Sequence, residues 1–421
     1  MSSSQENKLS VRLFGEEIGV LEQTQKARLH FTYRYGAQPL LSQSLPVKEK
    51  SFDHSRCFPY FAGLTPEGGR ALPLLSRMLG VNQNDCFNLL KVMGMDCIGA
   101  VSFHELGAPI EETKTTPLKG EVLTQKDLEK KMQAMLNSPV FFNSEHVQVV
   151  LPGTHFKAAV CLIEGKVALP VQGHFSTHIF KPGIGIGQAT ILNEYFCMRI
   201  AKKLQLFVAT VSLHKAINTN FLLVNRFDRE VHGHKVTHIH QEDFCQARGI
   251  LPTCKHQQEG GPSFKACFEI IENSNLPARD RNHLMKLIIF NYLISNYHAH
   301  GKDLSIQYLT PNEFQLTPFY DLQCSAVESN FTQMAMKVGG IYEHDEIRLE
   351  HWQKFCQHRG FGFLAFKSMM RQQIETILDI ANEERKILFD SGFDCEVADK
   401  ITKVIQKNCK LVSKYIYASP S

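Results

Sequence analysis

The stretch at residues 290–325, FNYLISNYHAHGKDLSIQYLTPNEFQLTPFYDLQCS, decides how the rest of the chain is read. It runs from the apolar end of a helix pattern through a polar loop and two short strand patterns to an acidic turn. Phosphoryl transfer asks little covalent chemistry of a protein. It needs a residue that positions the nucleophile and oxygen ligands that hold metal against phosphates. The loop offers both kinds of position: His298 at the nucleophile-orienting place, Asp303 five residues on, and Asp321 after the strand pair. Taken alone, His298, His300 and Lys302 serve equally well as solvated loop residues, with Asp321 as a turn cap.

Upstream, residues 9–45 alternate as strands, with a turn expected at Gly15-Glu16-Glu17. The period then lengthens: RALPLLSRMLGV and DCFNLLKVMGMD read as short amphipathic helices broken by Gly80 and Gly94. Residues 107–119, rich in Pro, Thr and Glu, read as a linker. Beyond a helix pattern at 128–136, strands flank a loop holding Pro152, Gly153 and Thr154. Glycine there lets backbone N–H groups approach a phosphate, though a plain hairpin turn reads the same way. Lys181 ends an apolar strand, and Glu194 opens the helix that follows. A strand lysine held by a helix glutamate is how kinases keep an ammonium against phosphates. The bland alternative is a surface pair worth under ~1 kcal/mol. His232, His234, His238 and His240 alternate on a hairpin; they read as its wet face rather than as a metal site, because no cysteine or carboxylate completes a tetrahedral set. Residues 283–294 are apolar nearly all round, as in a central helix, and three further helix patterns close the chain.

These segments resemble the HipA family of bacterial serine/threonine kinase toxins over nearly the whole chain. Asn296, His298, His300, Lys302 and Asp303 stand in its N-x-D-x-H-x-K-N loop, and Pro318, Tyr320 and Asp321 in its P-x-Y-D turn. LSQSLPV, FAGLTPEGG and GMDCIGAVSF are similar to elements of its N-terminal subdomain. H-I-x-K-P around Lys181, N-E-x-x-C around Glu194, QEDFCQ and GGPSF are shared wording too. The chain departs from the pattern at Val150 and His155 of the phosphate loop, at His298, where the family has its catalytic Asp, and at Asp303, where it has Asn.

The resemblance implies an α+β chain with a bilobal protein-kinase-like fold and an N-terminal α+β subdomain. The expected domains are 1–106, a kinase-like N-lobe at 120–224 and a helical C-lobe at 225–421. It implies ATP and Mg2+ as ligands. Gly153, Lys157, Lys181, Glu194, Asn225, Phe227 and Asp228 are then expected at the nucleotide, with Asp228 facing the ribose. Asp303 and Asp321 are expected at the metal, and His298 and Lys302 at the transfer itself. Magnesium favours such hard oxygen ligands. The family further implies a protein substrate, an aminoacyl-tRNA synthetase or another translation component, and a helix-turn-helix antitoxin on operator DNA. With His298 in place of Asp, the rival reading is a nucleotide-binding pseudokinase or regulatory module.

Composition sets outer bounds. At 421 residues the chain suits two or three packed subdomains, and a formal net charge of +4 demands neither nucleic acid nor an anionic membrane. Direct nucleic-acid binding is accordingly expected to be weak at most. Twelve scattered cysteines without a C-x-x-C pair suit reduced thiols, and neither a signal-peptide pattern nor a spanning apolar run is present, so a cytoplasmic protein without membrane contact is expected.

Overall fold

The computed structural model describes residues 7–37, 40–69, 71–109, 115–135, 151, 156–171, 173–185, 187–311, 313–328, 331–358 and 360–417. The chain divides into two units: residues 1–187, 214–254 and 305–314 form the first, and residues 188–213, 255–304 and 315–421 the second. The first unit thus runs past the expected 224/225 boundary, keeping residues 214–254 together.

In the first unit, β1 (Lys8–Leu13) and β2 (Glu16–Gln23) form an antiparallel hairpin. Its turn falls at Phe14 and Gly15, both at positive φ, one residue earlier than expected. Two left-handed residues make the turn that matches strand twist. The hairpin joins β3 (Leu29–Tyr33), β4 (Ser51–Phe52) and β5 (Val101–Glu105) in the order β4-β3-β2-β1-β5. Helices α1 (His54–Gly63), α2 (Ala71–Leu79) and α3 (Cys86–Met93) lie between β4 and β5 in sequence. Phe31, Phe52, Phe61, Phe87 and Phe103 fill one core beneath the sheet. Beyond β5, part of the expected linker is strand instead: β6 (Thr115–Pro117) pairs with a later hairpin.

The remaining strands of this unit belong mostly to a six-stranded sheet. β7 (Gly120–Val122) precedes α4 (Gln125–Ala134), whose N-terminus is closed by a Thr124–Asp127 capping box. β8 (Ala158–Ile163), β9 (Lys166–Pro170) and β10 (His178–Pro182) follow; then α5 (Gly187–Lys203), which enters the second unit. β11 (Val211–Lys215) and β12 (Asn220–Asn225) complete the order β11-β12-β10-β8-β9-β7, with Lys181 of β10 opposite Leu222. Val160, Phe180, Phe221 and Leu223 pack its core with Leu128 and Met132 of α4. The hairpin β13 (Arg229–His232) and β14 (Lys235–His238) adds β6 as a third strand. β15 (Gln241–Asp243) leads into α6 (Phe244–Arg248).

The second unit is mainly helical. α7 (Phe264–Ile271) is capped by Ser263, and α8 (Pro277–Leu293) starts with proline, whose missing N–H costs nothing there. From Leu284 to Leu293 nearly every residue of α8 is buried. After the loop that follows α8 the chain returns to the first unit as β16 (Ser305–Thr310), paired there with β15, and β17 (Glu313–Leu316) follows. β18 (Gln333–Val338) and β19 (Ile341–Glu343) form the expected Gly-Gly hairpin. Of helices α9 (Leu349–His358), α10 (Phe363–Asp390) and α11 (Glu396–Ile416), α10 packs against α8, α9 and α11, and α11 also packs against α8. Trp352 is fully buried, with its ring stacked on Phe366 and edge-on to Tyr292.

Candidate active site

The loop that follows α8 is held by its own ends. The Asn296 N–H donates to the Asn291 carbonyl at 2.8 Å, and its side-chain amide donates to Asn291 Oδ1 at 3.1 Å. The Tyr297 N–H donates to Ser325 Oγ at 3.0 Å, and the Ser325 N–H donates to the Ser295 carbonyl at 3.1 Å. Residues 295–297 are buried by these ties, and His298 is the first side chain to emerge. Past it the backbone is fixed again: the His300 N–H donates to Asp303 Oδ2 at 3.0 Å, and the Gly301 N–H to the Lys255 carbonyl at 3.2 Å. His298 is thus an exposed imidazole on a pinned loop. Crowding by the surrounding loop, and then the neighbouring His300 and His256, lower its pKa, which favours the neutral ring at neutral pH.

Asp303 lies on the same loop, half-buried, with Oδ2 at 2.8 Å from His300 Nδ1. The His300 ring in turn stands edge-on to His256 at 5.1 Å. Asp321 has a left-handed backbone, φ 55, which aspartate tolerates better than most residues. Its turn is fastened on both sides. The Tyr320 hydroxyl donates to the Lys302 carbonyl at 2.8 Å, and Gln323 Nε2 donates to Asp321 Oδ1 at 3.0 Å. Asn193 of α5 then grips Cys324 twice: its Oδ1 accepts from the Cys324 N–H at 2.8 Å and its amide donates to the Cys324 carbonyl at 3.1 Å. These bonds fix the loop that carries His298, Lys302 and Asp303 and the turn that carries Asp321, all within the second unit. Among the described residues no group of three or more His, Cys, Asp or Glu is arranged to hold a metal ion. Two carboxylates fit magnesium, which completes its shell with phosphate oxygens and water.

Of the other expected residues, Lys157, Lys181, Asn225, Phe227 and Asp228 lie in the first unit. Lys157 and Lys181 are half-buried before β8 and on β10. Asn225 is exposed at the end of β12, and Phe227 is half-buried just beyond. Glu194, on α5, belongs to the second unit and is 1 % exposed. Gly153 lies outside the described residues, as do Val150, Thr154 and His155.

Asp228 stands differently from the expected ribose-facing residue. It is buried, and its carboxylate accepts from Arg226 Nε and Nη2 at 3.0 and 2.8 Å, from Arg229 Nη1 at 2.9 Å and from the Gly99 N–H at 2.7 Å. Asp96 completes the cluster, 2.6 Å from Arg229 Nη2 and 2.7 Å from Ser176 Oγ. Burial alone would raise both carboxyls, but the two guanidiniums outweigh it, bringing Asp228 down to about 2 and Asp96 lower still. Two Arg and two Asp thus neutralise each other where water is excluded. The sequence did carry one signal, a lone Asp96 within an apolar stretch. Nothing local linked it to a partner 133 positions away.

The histidine hairpin also divides. His232 and His234 are exposed as expected, whereas His238 and His240 are buried rather than wet. The His238 ring lies 3.8 Å from that of Phe175 and its Nε2 3.5 Å from Asp96. His240 Nε2–H donates to the Leu41 carbonyl at 2.8 Å, leaving Nδ1 to accept from the Ala100 N–H at 3.4 Å. Burial lowers both rings to about 4. Gly99 is required here: at φ +80, an added Cβ would lie 2.9 Å from Gln241 backbone atoms. Glu242 is equally buried. It accepts from Ser42 Oγ at 2.5 Å, from the Gln43 N–H at 2.9 Å and from the Tyr308 hydroxyl, and burial pushes its pKa up to about 7.

The fold is that of a kinase-like protein. Residues 9–104 match the HipA N-terminal domain and residues 149–384 the HipA-like C-terminal domain, and the chain belongs to the HipA family. It is 36% identical over 347 residues to the protein Y4mE of Sinorhizobium fredii, covering 82% of this chain and 81% of that one. It is 29% identical over 303 residues to the serine/threonine-protein kinase toxin HipA of Shewanella oneidensis, covering 68% of each. The solved complex of Shewanella oneidensis HipA with HipB and operator DNA contains a chain of the same fold. The TM-score is 0.81 at 22% identity, over 97% of this chain and 98% of that one. Among the described residues no helix is long and apolar enough to cross a membrane.

Proposed function

We propose that this protein binds Mg2+-ATP and transfers its terminal phosphoryl group to a hydroxyl of a protein substrate, slowly, with His298 in the nucleophile-orienting place. The observation that carries the reading is the pinned loop, which presents an exposed imidazole, with the carboxylate of Asp303 on the same loop and that of Asp321 on the turn bonded to it. In it Lys181 and Lys157 supply positive charge to the phosphates. Asp303 and Asp321 hold the metal, which neutralises developing charge on the transferred group. A neutral imidazole accepts the hydroxyl proton but brings no negative charge to orient the hydroxyl. By analogy with the Shewanella complex, the partner is a DNA-bound antitoxin.

A regulatory module that binds nucleotide without transferring it is the second reading, favoured by His298 and by the engaged carboxylate of Asp228. Thermal denaturation with ATP tests what the two readings share. A ligand that binds only the folded state at 100 times its Kd adds about 2.7 kcal/mol. ATP should raise the melting temperature only with magnesium, and Asp321→Ala should abolish most of the rise. No response at millimolar ATP overturns both readings.

A further inference from the structure

The turn that carries the chain out of α8 is held from α11. The Ser295 N–H donates to the Tyr292 carbonyl at 3.1 Å and the Asn296 N–H to the Asn291 carbonyl at 2.8 Å, the pair of bonds that closes a helix through one left-handed residue. That residue is Ser295, at φ 53, where glycine is the usual choice and a side chain is strained. Asn408 of α11, 1 % exposed, faces it. Its Nδ2 donates to Ser295 Oγ at 2.8 Å and to the Leu293 carbonyl at 2.9 Å, and lies 3.4 Å from the Tyr292 carbonyl. Two carbonyls on that side fix which amide atom is the nitrogen. The Tyr292 carbonyl has a further donor in His344 Nε2, at 2.9 Å. All of these residues belong to the second unit.

The last carbonyls of a helix have no partner within it, and a buried one left unpaired destabilises the end of the helix. His298 stands three residues beyond Ser295, so the loop that presents it starts from this turn. Displacing a reacting group by about 1 Å is enough to cost about 10²-fold in rate. The Asn408 amide does by hydrogen bonding what glycine would do by conformation: it stabilises the left-handed residue. On the phosphoryl-transfer reading above, we propose that Asn408 is a positioning residue for that reaction. Buried away from the reacting groups, it acts by fixing the Ser295 turn, which sets where His298 stands. The two residues are 113 positions apart, and nothing in the sequence joins them.

The test joins hydrogen exchange to kinetics in the full chain. Asn408→Leu should speed exchange of the Asn296 and Tyr297 amides at least ~10-fold. Single-turnover phosphate incorporation into dephosphorylated casein, measured in the parent and in the His298→Asp background, should fall at least ~10-fold, with the ATP concentration for half-maximal rate held within ~2-fold. Ser295→Gly, added to Asn408→Leu, adopts the turn without the amide and should recover at least ~3-fold of both losses. A role for Asn408 in packing alone predicts no recovery, because glycine fills no space. Ile401→Ala, which opens a cavity about two turns away on α11, should leave both readouts as in the parent. Where circular dichroism shows Asn408→Leu unfolded, Asn408→Asp, which keeps the shape and removes the donors, replaces it. The proposal is overturned if the Asn408 variant exchanges and reacts as the parent does, if Ile401→Ala loses as much, or if Ser295→Gly restores neither readout. Binding of Mg2+-ATP without transfer in every protein, His298→Asp included, overturns the phosphoryl-transfer reading and the kinetic role of Asn408 with it, whereas the exchange rates still decide whether Asn408 holds the turn.

Discussion

Arg229 and Asp96 form a 2.6 Å ion pair in which both side chains are shut off from solvent. It links the G-x-D-x-x-G-A-V segment to the R-F-D-R segment within the first unit. Its counterpart, Asp228 with Arg226, closes the other half of the cluster.

Removing one member should therefore cost far more than removing a surface pair. Asp96→Ala leaves two guanidiniums facing one carboxylate in a dry interior and should lower stability by ~3–5 kcal/mol, as should Arg229→Met. Chemical denaturation of single and double variants checks this, with the double variant losing less than the sum of the singles. A loss under ~1 kcal/mol would mark the cluster as effectively solvated.

Glu242 makes stability pH-dependent. Its folded pKa, about 7, lies above the ordinary 4.5, so its contribution is complete below pH 4.5 and lost as pH rises through 7. A rise of that size is worth about 3 kcal/mol. Between pH 5 and pH 8 the parent should lose melting temperature, while Glu242→Gln should lose much less. Parallel profiles for the two proteins would assign the pH dependence elsewhere.

Lys181 should be replaceable without unfolding. Lys181→Ala and Lys181→Arg should both weaken ATP binding, because a planar guanidinium does not substitute for a compact ammonium. Collapse of circular dichroism in both variants, with unchanged ATP affinity in the folded fraction, would show that the lysine maintains the sheet instead.

His298→Asp should raise phosphoryl transfer at least ~10-fold, within the range general-base catalysis supplies. The measurement is single-turnover phosphate incorporation into one substrate, at equal ATP occupancy and above pH 7. The lowered pKa keeps the imidazole neutral there, so its protonation does not confound the comparison. Equal, robust rates would show that position 298 does not limit transfer. Absence of transfer in both proteins, despite ATP binding, would favour the regulatory module.

The helices were legible because their apolar residues repeat every three to four positions: α8, α10 and α11 lie where that pattern places them. The turn at Phe14 was not, since an aromatic at positive φ carries no composition signal. Spacing placed His298, Asp303 and Asp321 on one loop system, because only local chain intervenes. It could not reveal that Asn193 grips Cys324, or that Asp228 is claimed by two arginines beside Asp96. Those are contests between distant residues, and the same wording, QEDFCQ or R-F-D-R, reads alike whether it meets a ligand or another part of the chain.

The charge cluster and Glu242 also bear on how the gene can be cut. Deleting residues 1–106 would take away Asp96, the Gly99 N–H donor and the Ser42 and Gln43 donors together. Two arginines would be left with one carboxylate, and Glu242 would be stripped of two of its donors. A shortened chain should therefore be insoluble, whereas the two fragments produced together should recombine. The first hundred residues are an integral wall of the first unit, not a detachable module.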